Sequence, residues 1–207
     1  MPAILEPFEA LRLSTLCPYA ARARVAYGSA WDDGESRDAN LRRTASAFAA
    51  WAAMARENRS HGFVLEVGLS AASDFEQVRR AFGDTLLRLN EHDPAHSSCM
   101  RRPIEAAGWQ YEFGGLRLFV NVFAPCYPTR HSKHVEAERR FYVFFQPEFS
   151  FDLCGVNSAN RGAKETVRRI FRDAGCPYDG AVIDRRIEAH LYMFPLDPGD
   201  DAVRWWR

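Results

Sequence analysis

The segment from Leu116 to Asp152 carries the richest set of side chains that could do chemistry. Two apolar, strand-like runs, Leu116 to Phe123 and Phe141 to Phe145, flank a loop that contains a thiol, a phenol, two imidazoles and four other cationic side chains. Strands hold the ends of such a loop rigidly, and binding and catalytic residues are concentrated on loops held in this way. The sequence therefore places the candidate functional site in this loop.

Three long helices are predicted around the loop, because apolar residues recur there every three or four positions. They cover residues 39–57, 73–91 and 163–174. Asp38 is the expected N-cap of the first helix, Ser73 opens a capping box with Glu76 in the second, and Gly175 is the expected C-cap of the third. A shorter helix is predicted just after Cys17.

Short apolar runs predict strands at residues 24–30, 63–68, 109–113, 116–123 and 141–145. Gly114-Gly115 is a typical two-residue hairpin turn between two of these strands. A central hairpin with helices in both halves of the sequence favours the α+β class. We therefore expect a single domain over residues 1–207, with a mixed or antiparallel sheet and helices packed on it.

Composition limits the classes of function. With 27 basic against 27 acidic residues, the chain has no overall charge that would attract nucleic acid or an anionic membrane surface. No apolar run is long enough to span a bilayer, and the N-terminal residues do not resemble a signal peptide. The five cysteines have no metal-type spacing, so we expect reduced thiols and a cytoplasmic protein.

Several short motifs, taken in order, resemble the YqcI/YcgG family. They are Cys17-x-x-Ala20, Phe63-Val-Leu-Glu-Val, Asp74-Phe75-Glu76, Phe113-Gly114-Gly115 before Phe119-Val120, and the stretch from Ser132 to Arg139-Arg140-Phe141. The likeness covers roughly residues 12–155. The chain differs from the family pattern in two places. Leu16 precedes Cys17 where the family usually has proline, and residues 124–128 read Ala-Pro-Cys-Tyr-Pro where the family has Leu-His-Pro. The family's histidine therefore has no obvious counterpart.

The resemblance implies a haem-dependent oxygenase. Characterised members of the family bind b-type haem and hydroxylate a guanidine or amine nitrogen of arginine-like amino acids. This chain would then bind haem b and a small-molecule substrate, and would need an electron donor. The donor and the oligomeric state, with a homodimer as one option, are left open by the sequence.

A haem iron needs a strong axial ligand, and His131, Cys126 and Cys17 are the three candidates, with His134 as a further residue that could contact the haem. His131, His134 and Cys126 lie in the central loop, and Cys17 begins a predicted helix, where the helix dipole favours a thiolate. A plainer interpretation competes for each residue. The histidines could be solvated neighbours of basic residues, and the cysteines could be small buried apolar groups.

Charged residues in and near the loop could contact the haem propionates and the substrate. Four cations could hold the haem propionates or a substrate carboxylate, with arginine favoured because it binds such groups through two hydrogen bonds. They are Arg130, Lys133, Arg139 and Arg140. Glu148 and Asp152 stand beside phenylalanines and could bind a cationic guanidinium through charge and ring faces.

Two alternatives belong to other classes. The chain could be a non-catalytic domain that binds haem or another small ligand. It could also be a non-haem metal enzyme that uses His131, His134 and a carboxylate, although no established zinc or iron motif is present.

Overall fold

The computed structural model describes residues 5–69, 74–156, 161–176, 187–197 and 199–207. The helices are α1 (Glu6–Ser14), α2 (Arg37–Met54), α3 (Phe75–Glu91), α4 (Phe149–Leu153) and α5 (Arg161–Asp173). The strands are β1 (Val25–Tyr27), β2 (Gly62–Gly68), β3 (Tyr111–Phe113), β4 (Leu116–Phe123) and β5 (Arg140–Pro147). The predicted α+β class is confirmed.

One sheet of five strands, in the order β1-β2-β5-β4-β3, connects these elements. Strand β1 is parallel to β2, and every other pair is antiparallel. The sheet is therefore mixed, as expected. Gly114 and Gly115 form the β3–β4 turn with φ angles of +58° and +74°, the left-handed conformation that a two-residue hairpin turn requires.

The first face of the sheet carries the larger core. Side chains alternate along a strand, so Val120 and Val122 of β4 point to the same side as Val143 and Phe145 of β5. Helices α2 and α3 cover this face, and the ring of Phe48 stacks at 4.2 Å on that of Phe113. The C-terminal residues, including the buried Trp205, complete this core.

The second face is covered by α1 and is lined differently. Phe8 of α1 packs its ring against Phe123, Tyr142 and Phe144 at centroid distances of 5.5 to 5.9 Å. Between these rings the same face presents the polar side chains of Asn121 and Gln146 to a cavity. A strand face that mixes aromatic and polar residues is suited to holding a ligand.

Several local expectations need correction. The N-cap of α2 is Ser36, whose hydroxyl accepts from the backbone N–H of Ala39 at 3.2 Å, and not Asp38. Asp74 caps α3 in the same way, while Ser73 lies outside the described residues. The helix after Cys17 is a single 3-10 turn, Ala20–Arg22, and the predicted strand 24–30 is reduced to β1.

Two helices were not predicted, α1 and the short α4. In contrast, the predicted bounds of β4 match the observed ones, and Gly175 follows α5 at a φ of +68°. Among the described residues, no helix is both long and apolar enough to cross a bilayer.

Candidate functional site

Two adjoining spaces lie between α1 and the loop that joins β4 to β5. The outer groove, of about 440 Å³, is lined by α1 and by loop residues 129–136. The inner cavity, of about 180 Å³, lies deeper, between the second face of the sheet and residues 15–23. Leu11, Thr15, Ser132 and Phe171 line both spaces. Ser132 is therefore the loop residue at the boundary between the two spaces.

Backbone hydrogen bonds hold the β4–β5 loop in a fixed shape. Ala124 donates its N–H to the carbonyl of Lys133 at 3.0 Å, which closes the loop on itself, and Ala124 also pairs with His134 in an isolated bridge. The buried hydroxyl of Tyr127 donates to the carbonyl of Phe194 at 2.9 Å. The loop is thus tied both to β4 and to the C-terminal segment, which gives its side chains defined positions.

His131 is buried in this loop and both of its ring nitrogens are engaged. Its Nδ1 accepts the backbone N–H of Lys133 at 3.1 Å, and the ring also hydrogen-bonds to the backbone of Pro195. The imidazole stacks on Tyr127 with centroids 4.4 Å apart. Burial, helped by the nearby Lys133 cation, lowers the pKa of His131 to about 4. A neutral imidazole with two partners stabilises the loop and has no free lone pair for a metal.

His134 has the opposite arrangement. Its Nδ1 lies 2.8 Å from the carbonyl oxygen of Tyr127, and a carbonyl only accepts, so Nδ1 carries the proton. In the neutral ring the lone pair is then on Nε2. The residue is half-buried and lines the outer groove. Metal-binding histidines are commonly oriented by such a bond from the second nitrogen to a backbone carbonyl.

Lys133 lines the inner cavity and is buried. Its Nζ donates to Oδ1 of Asn121 and lies 4.8 Å from the ring centre of Phe123 and 4.9 Å from that of Phe194. Burial lowers the pKa of Lys133 to about 7, against a smaller opposing effect of Cys17. Within the described residues, no carboxylate pairs with this amine. Its contacts are an amide oxygen and two aromatic faces, all neutral.

The candidate cysteines are separated by the sheet. Cys126 packs against the core of the first face, and burial raises the pKa of its thiol to about 11. Cys17 lines the inner cavity on the second face, together with Cys154, whose thiol pKa is also raised by burial. Cys176, which was not predicted as a site residue, lines the outer groove.

Of the three candidate arginines, only one lines the outer groove or the inner cavity. Arg130 lines the outer groove. Arg140 instead forms an ion pair with Asp33 at 2.7 Å, and its Nε lies 4.0 Å from the buried carboxylate of Glu66. Arg139, with a φ of +53°, hydrogen-bonds to the carbonyl of Leu69 at 3.4 Å.

The two carboxylates proposed for a guanidinium substrate lie elsewhere. Glu148 and Asp152 are exposed at the end of β5 and on α4, and Glu148 lies 3.7 Å from Arg117. The neighbouring ring of Phe149 is already covered by the guanidinium of Arg56, 4.6 Å from the ring centre. Neither carboxylate lines the outer groove or the inner cavity.

A larger groove, of about 710 Å³, lies beyond the end of β2. The described residues that line it include Arg139 and the ion pair between Arg37 and Asp84, at 2.8 Å, but no histidine or cysteine. Although this groove is larger, its described lining lacks the side chains expected to bind haem iron, so we do not take it as the candidate site. In the described part of the chain, no three histidine, cysteine or acidic side chains come together as a metal site.

Sequence comparison identifies the family. The profile of the YqcI/YcgG family matches residues 19–190, most of the chain, and reaches further towards the C-terminus than the motifs quoted above. The chain belongs to the YqcI/YcgG family. Comparison with curated proteins and with solved structures gives no match.

In this YqcI/YcgG protein, both spaces border the loop that the sequence singled out, and Lys133, one of the cations expected to hold a carboxylate, lines the inner cavity. Asn121, which also lines the cavity, was not predicted. Asn121 is a polar interruption in the apolar run of β4, and Lys133 is one of only two lysines among 27 basic residues. The polar interruption is visible in the sequence and could have drawn attention to Asn121. The approach of Ser132 and His61 to the same cavity depends on tertiary packing and has no local signal.

Proposed function

We propose that this member of the YqcI/YcgG family binds haem b in the outer groove, with His134 as the axial ligand. We further propose that it is an oxygenase that hydroxylates an amine or guanidine nitrogen of a small amino-acid-like molecule. The hydrogen bond from Nδ1 of His134 to the Tyr127 carbonyl is the observation that carries the proposal, because it leaves Nε2 free to bind a metal.

The position of His134 in the chain adds support. Residues 124–128 replace the Leu-His-Pro motif of the family, so a histidine is missing from the end of β4. The isolated bridge between Ala124 and His134 brings another histidine alongside this segment. His134 therefore lies where it could take the place of the family's histidine.

The lining of the outer groove fits a flat, largely apolar group with acidic substituents. Leu11, Val135 and Phe171 offer apolar contacts, and Arg130 offers a guanidinium to a propionate. The volume of about 440 Å³ lies within the roughly 300 to 1,000 Å³ common for cofactor pockets. His131 would not coordinate, but would hold the loop, and with it His134, in place.

Haem in this groove would supply oxygen activation at its iron, while the protein supplies orientation and a defined environment. Cys126 is a poor candidate for a thiolate ligand, since burial raises the pKa of its thiol to about 11 and it packs on the other face of the sheet. Cys17 is close to the groove but lines the inner cavity. These positions support His134, and neither cysteine, as the proposed ligand.

The test is an absorption spectrum of protein produced with a haem precursor, for wild type and for His134→Gly. We expect a stoichiometric Soret band in the wild type and haem affinity at least about 100-fold weaker in the variant, because even the outer partners of metal ligands contribute 10- to 100-fold. Added imidazole should restore the band by occupying the space of the lost ring. His92→Gly, an exposed histidine at the end of α3, is the matched control.

The outcomes separate the alternatives. If the wild type does not bind haem on reconstitution, the proposal fails. If the spectrum of His134→Gly is the same as that of the wild type, His134 is not the axial ligand. If haem binds with both axial positions filled by protein groups, and carbon monoxide does not bind after reduction, the protein is a non-catalytic haem-binding domain. An oxygenase should bind carbon monoxide and add one oxygen atom to an arginine-like substrate, detectable by mass spectrometry.

A further inference from the structure

The inner cavity contains a buried lysine, Lys133, whose amine pairs with no carboxylate among the described residues. The amine of Lys133 contacts the Asn121 oxygen and the faces of Phe123 and Phe194. Burying an ammonium group costs free energy unless hydrogen bonds and an opposite charge compensate it. The amide and the two rings compensate only in part, so an anion that entered the cavity would gain a strong electrostatic interaction.

The charges around the cavity favour an anion. In the described part of the chain, its lining includes Lys133 and Arg12 but no aspartate or glutamate. Arg12 is already held by Glu9 at 2.5 Å and by the carbonyls of Ala20 and Ala21 at 2.8 Å. Lys133 is therefore the cation that remains available, which suits a singly charged ligand better than a doubly charged one.

Two further groups at the cavity can donate hydrogen bonds. The hydroxyl oxygen of Ser132 is buried and has no hydrogen-bond partner in the part of the chain that the structure describes. His61 accepts the backbone N–H of Arg24 on its Nδ1 at 3.0 Å, so in the neutral ring its Nε2 carries a proton. A buried donor without a partner costs free energy, so an acceptor in the cavity would satisfy Ser132. The half-buried His61 could donate to the same acceptor.

The rest of the lining is apolar. Phe8, Val25, Phe144 and Phe171 surround the polar end, and the volume of about 180 Å³ is below the roughly 300 Å³ at which drug-sized pockets begin. A fitting ligand is thus compact, with one charged end and a hydrocarbon body.

We propose that the inner cavity binds a compact monocarboxylic acid, with its carboxylate between the Lys133 amine and the Ser132 hydroxyl and its hydrocarbon part against Phe8 and Phe144. This site is separate from the outer groove, and it does not depend on haem being bound there. Ser132 lines both spaces, so a bound acid would lie next to whatever occupies the groove.

The small number of lysines gives a direct test. Protein labelled with [ε-13C]lysine has two lysine signals, from the buried Lys133 and from the exposed Lys164 on α5. At a fixed pH below neutrality, butyrate should shift the Lys133 signal in a saturable way and leave the Lys164 signal in place. Equal shifts of both signals, or no saturable shift, would overturn the proposal.

Calorimetric titration of variants identifies the groups that bind. Lys133→Met keeps the length of the side chain and removes the charge, and we expect butyrate binding to weaken at least about tenfold, the effect of losing one charge-assisted hydrogen bond. Lys164→Met is the matched control and should bind as the wild type does. Ser132→Ala should weaken binding less than Lys133→Met, and Ser46→Ala, an exposed serine on α2, should have no effect.

Other ligands separate the contributions of charge and shape. Butanol has the same hydrocarbon body without the charge, and inorganic phosphate has charge without the body, so both should bind at least about tenfold more weakly than butyrate. Equal binding of butanol would mean a purely apolar cavity, and equal binding of phosphate would mean a general anion site. Either result, or full binding by Lys133→Met, contradicts the proposal.

Discussion

His131 and His134 lie three residues apart in one loop, yet their hydrogen bonds give them different chemistry. Both rings contact the backbone, but His131 uses two nitrogens and His134 uses one. The number of free nitrogens, more than burial, decides which of the two could bind a metal. At this scale the sequence identified two histidines in the loop but did not distinguish their roles. The role of His131 depends on a hydrogen bond to Pro195, which is distant in the chain and has no local signal.

The buried imidazole of His131 should make folding stability depend on pH. Its pKa is about 4 in the folded protein and about 6.5 in an unfolded chain, so between these values the unfolded state binds the proton and the folded state does not. Stability must then fall as the pH is lowered through this range, by up to about 3 kcal/mol. His131→Phe keeps the ring stacked on Tyr127 and should remove this part of the dependence.

Urea unfolding at a series of pH values measures this effect. His131→Phe should be less stable than the wild type near neutral pH, because it loses two hydrogen bonds, but should lose less stability on acidification. His92→Asn, which removes an exposed histidine, should follow the wild-type profile. Parallel profiles for wild type and His131→Phe would show that His131 is not the titrating group.

At the scale of elements, the strands were predicted better than the helix ends. The apolar runs of β2, β4 and β5 are long and are interrupted by glycine or polar residues, which define their bounds. Helix α1 was missed because only Phe8 in it is fully buried, so its apolar repeat is weak. Helix α4 has only five residues, too few to show a period. Ser36 and Asp38 are both good caps, and local sequence does not decide between them.

The β3–β4 turn provides a prediction at this scale. Gly114 and Gly115 both have positive φ, so alanine is strained at either position by about 1 to 2 kcal/mol. A Cβ at Gly114 would also lie 2.6 Å from the Cβ of Ala52 in α2, whereas a Cβ at Gly115 meets nothing within 4 Å. Gly114→Ala should therefore destabilise the protein by at least about 1 kcal/mol more than Gly115→Ala. Urea midpoints of the two variants measure the difference, and equal midpoints would show that α2 does not pack closely on this turn.

At the scale of the whole molecule, the two faces of the single sheet differ in the side chains they present. The first face packs α2, α3 and the C-terminal residues in a continuous apolar core, while the second face, under α1, combines aromatic rings with the polar lining of the inner cavity. The sequence predicted the α+β class, but it could not show that the polar residues of the loop and of β4 meet under α1. That meeting depends on a helix whose own sequence signal is weak.

A single domain over residues 1–207 stays a prediction, and Phe8 allows it to be tested. Phe8 is 4% exposed and packs on three rings of the second face, so Phe8→Ala should cost about 3 to 5 kcal/mol. Because both faces belong to the same strands, this loss should lower the unfolding midpoint seen by tryptophan fluorescence. That signal reports on the first face, since Trp109 and Trp205 are buried in its core and the other three tryptophans pack against it. Leu13→Ala, at a position 59% exposed on the same helix, should change stability by less than about 0.5 kcal/mol.

The informative comparison is between tryptophan fluorescence and far-ultraviolet circular dichroism during urea unfolding of Phe8→Ala. If the two faces unfold together, both signals change at the same, lowered midpoint. A fluorescence midpoint equal to that of the wild type, with an earlier change in circular dichroism, would mean that the second face opens independently of the core. In that case α1 would act as a separate cover over the inner cavity, and ligand entry would require only local opening rather than unfolding of the sheet.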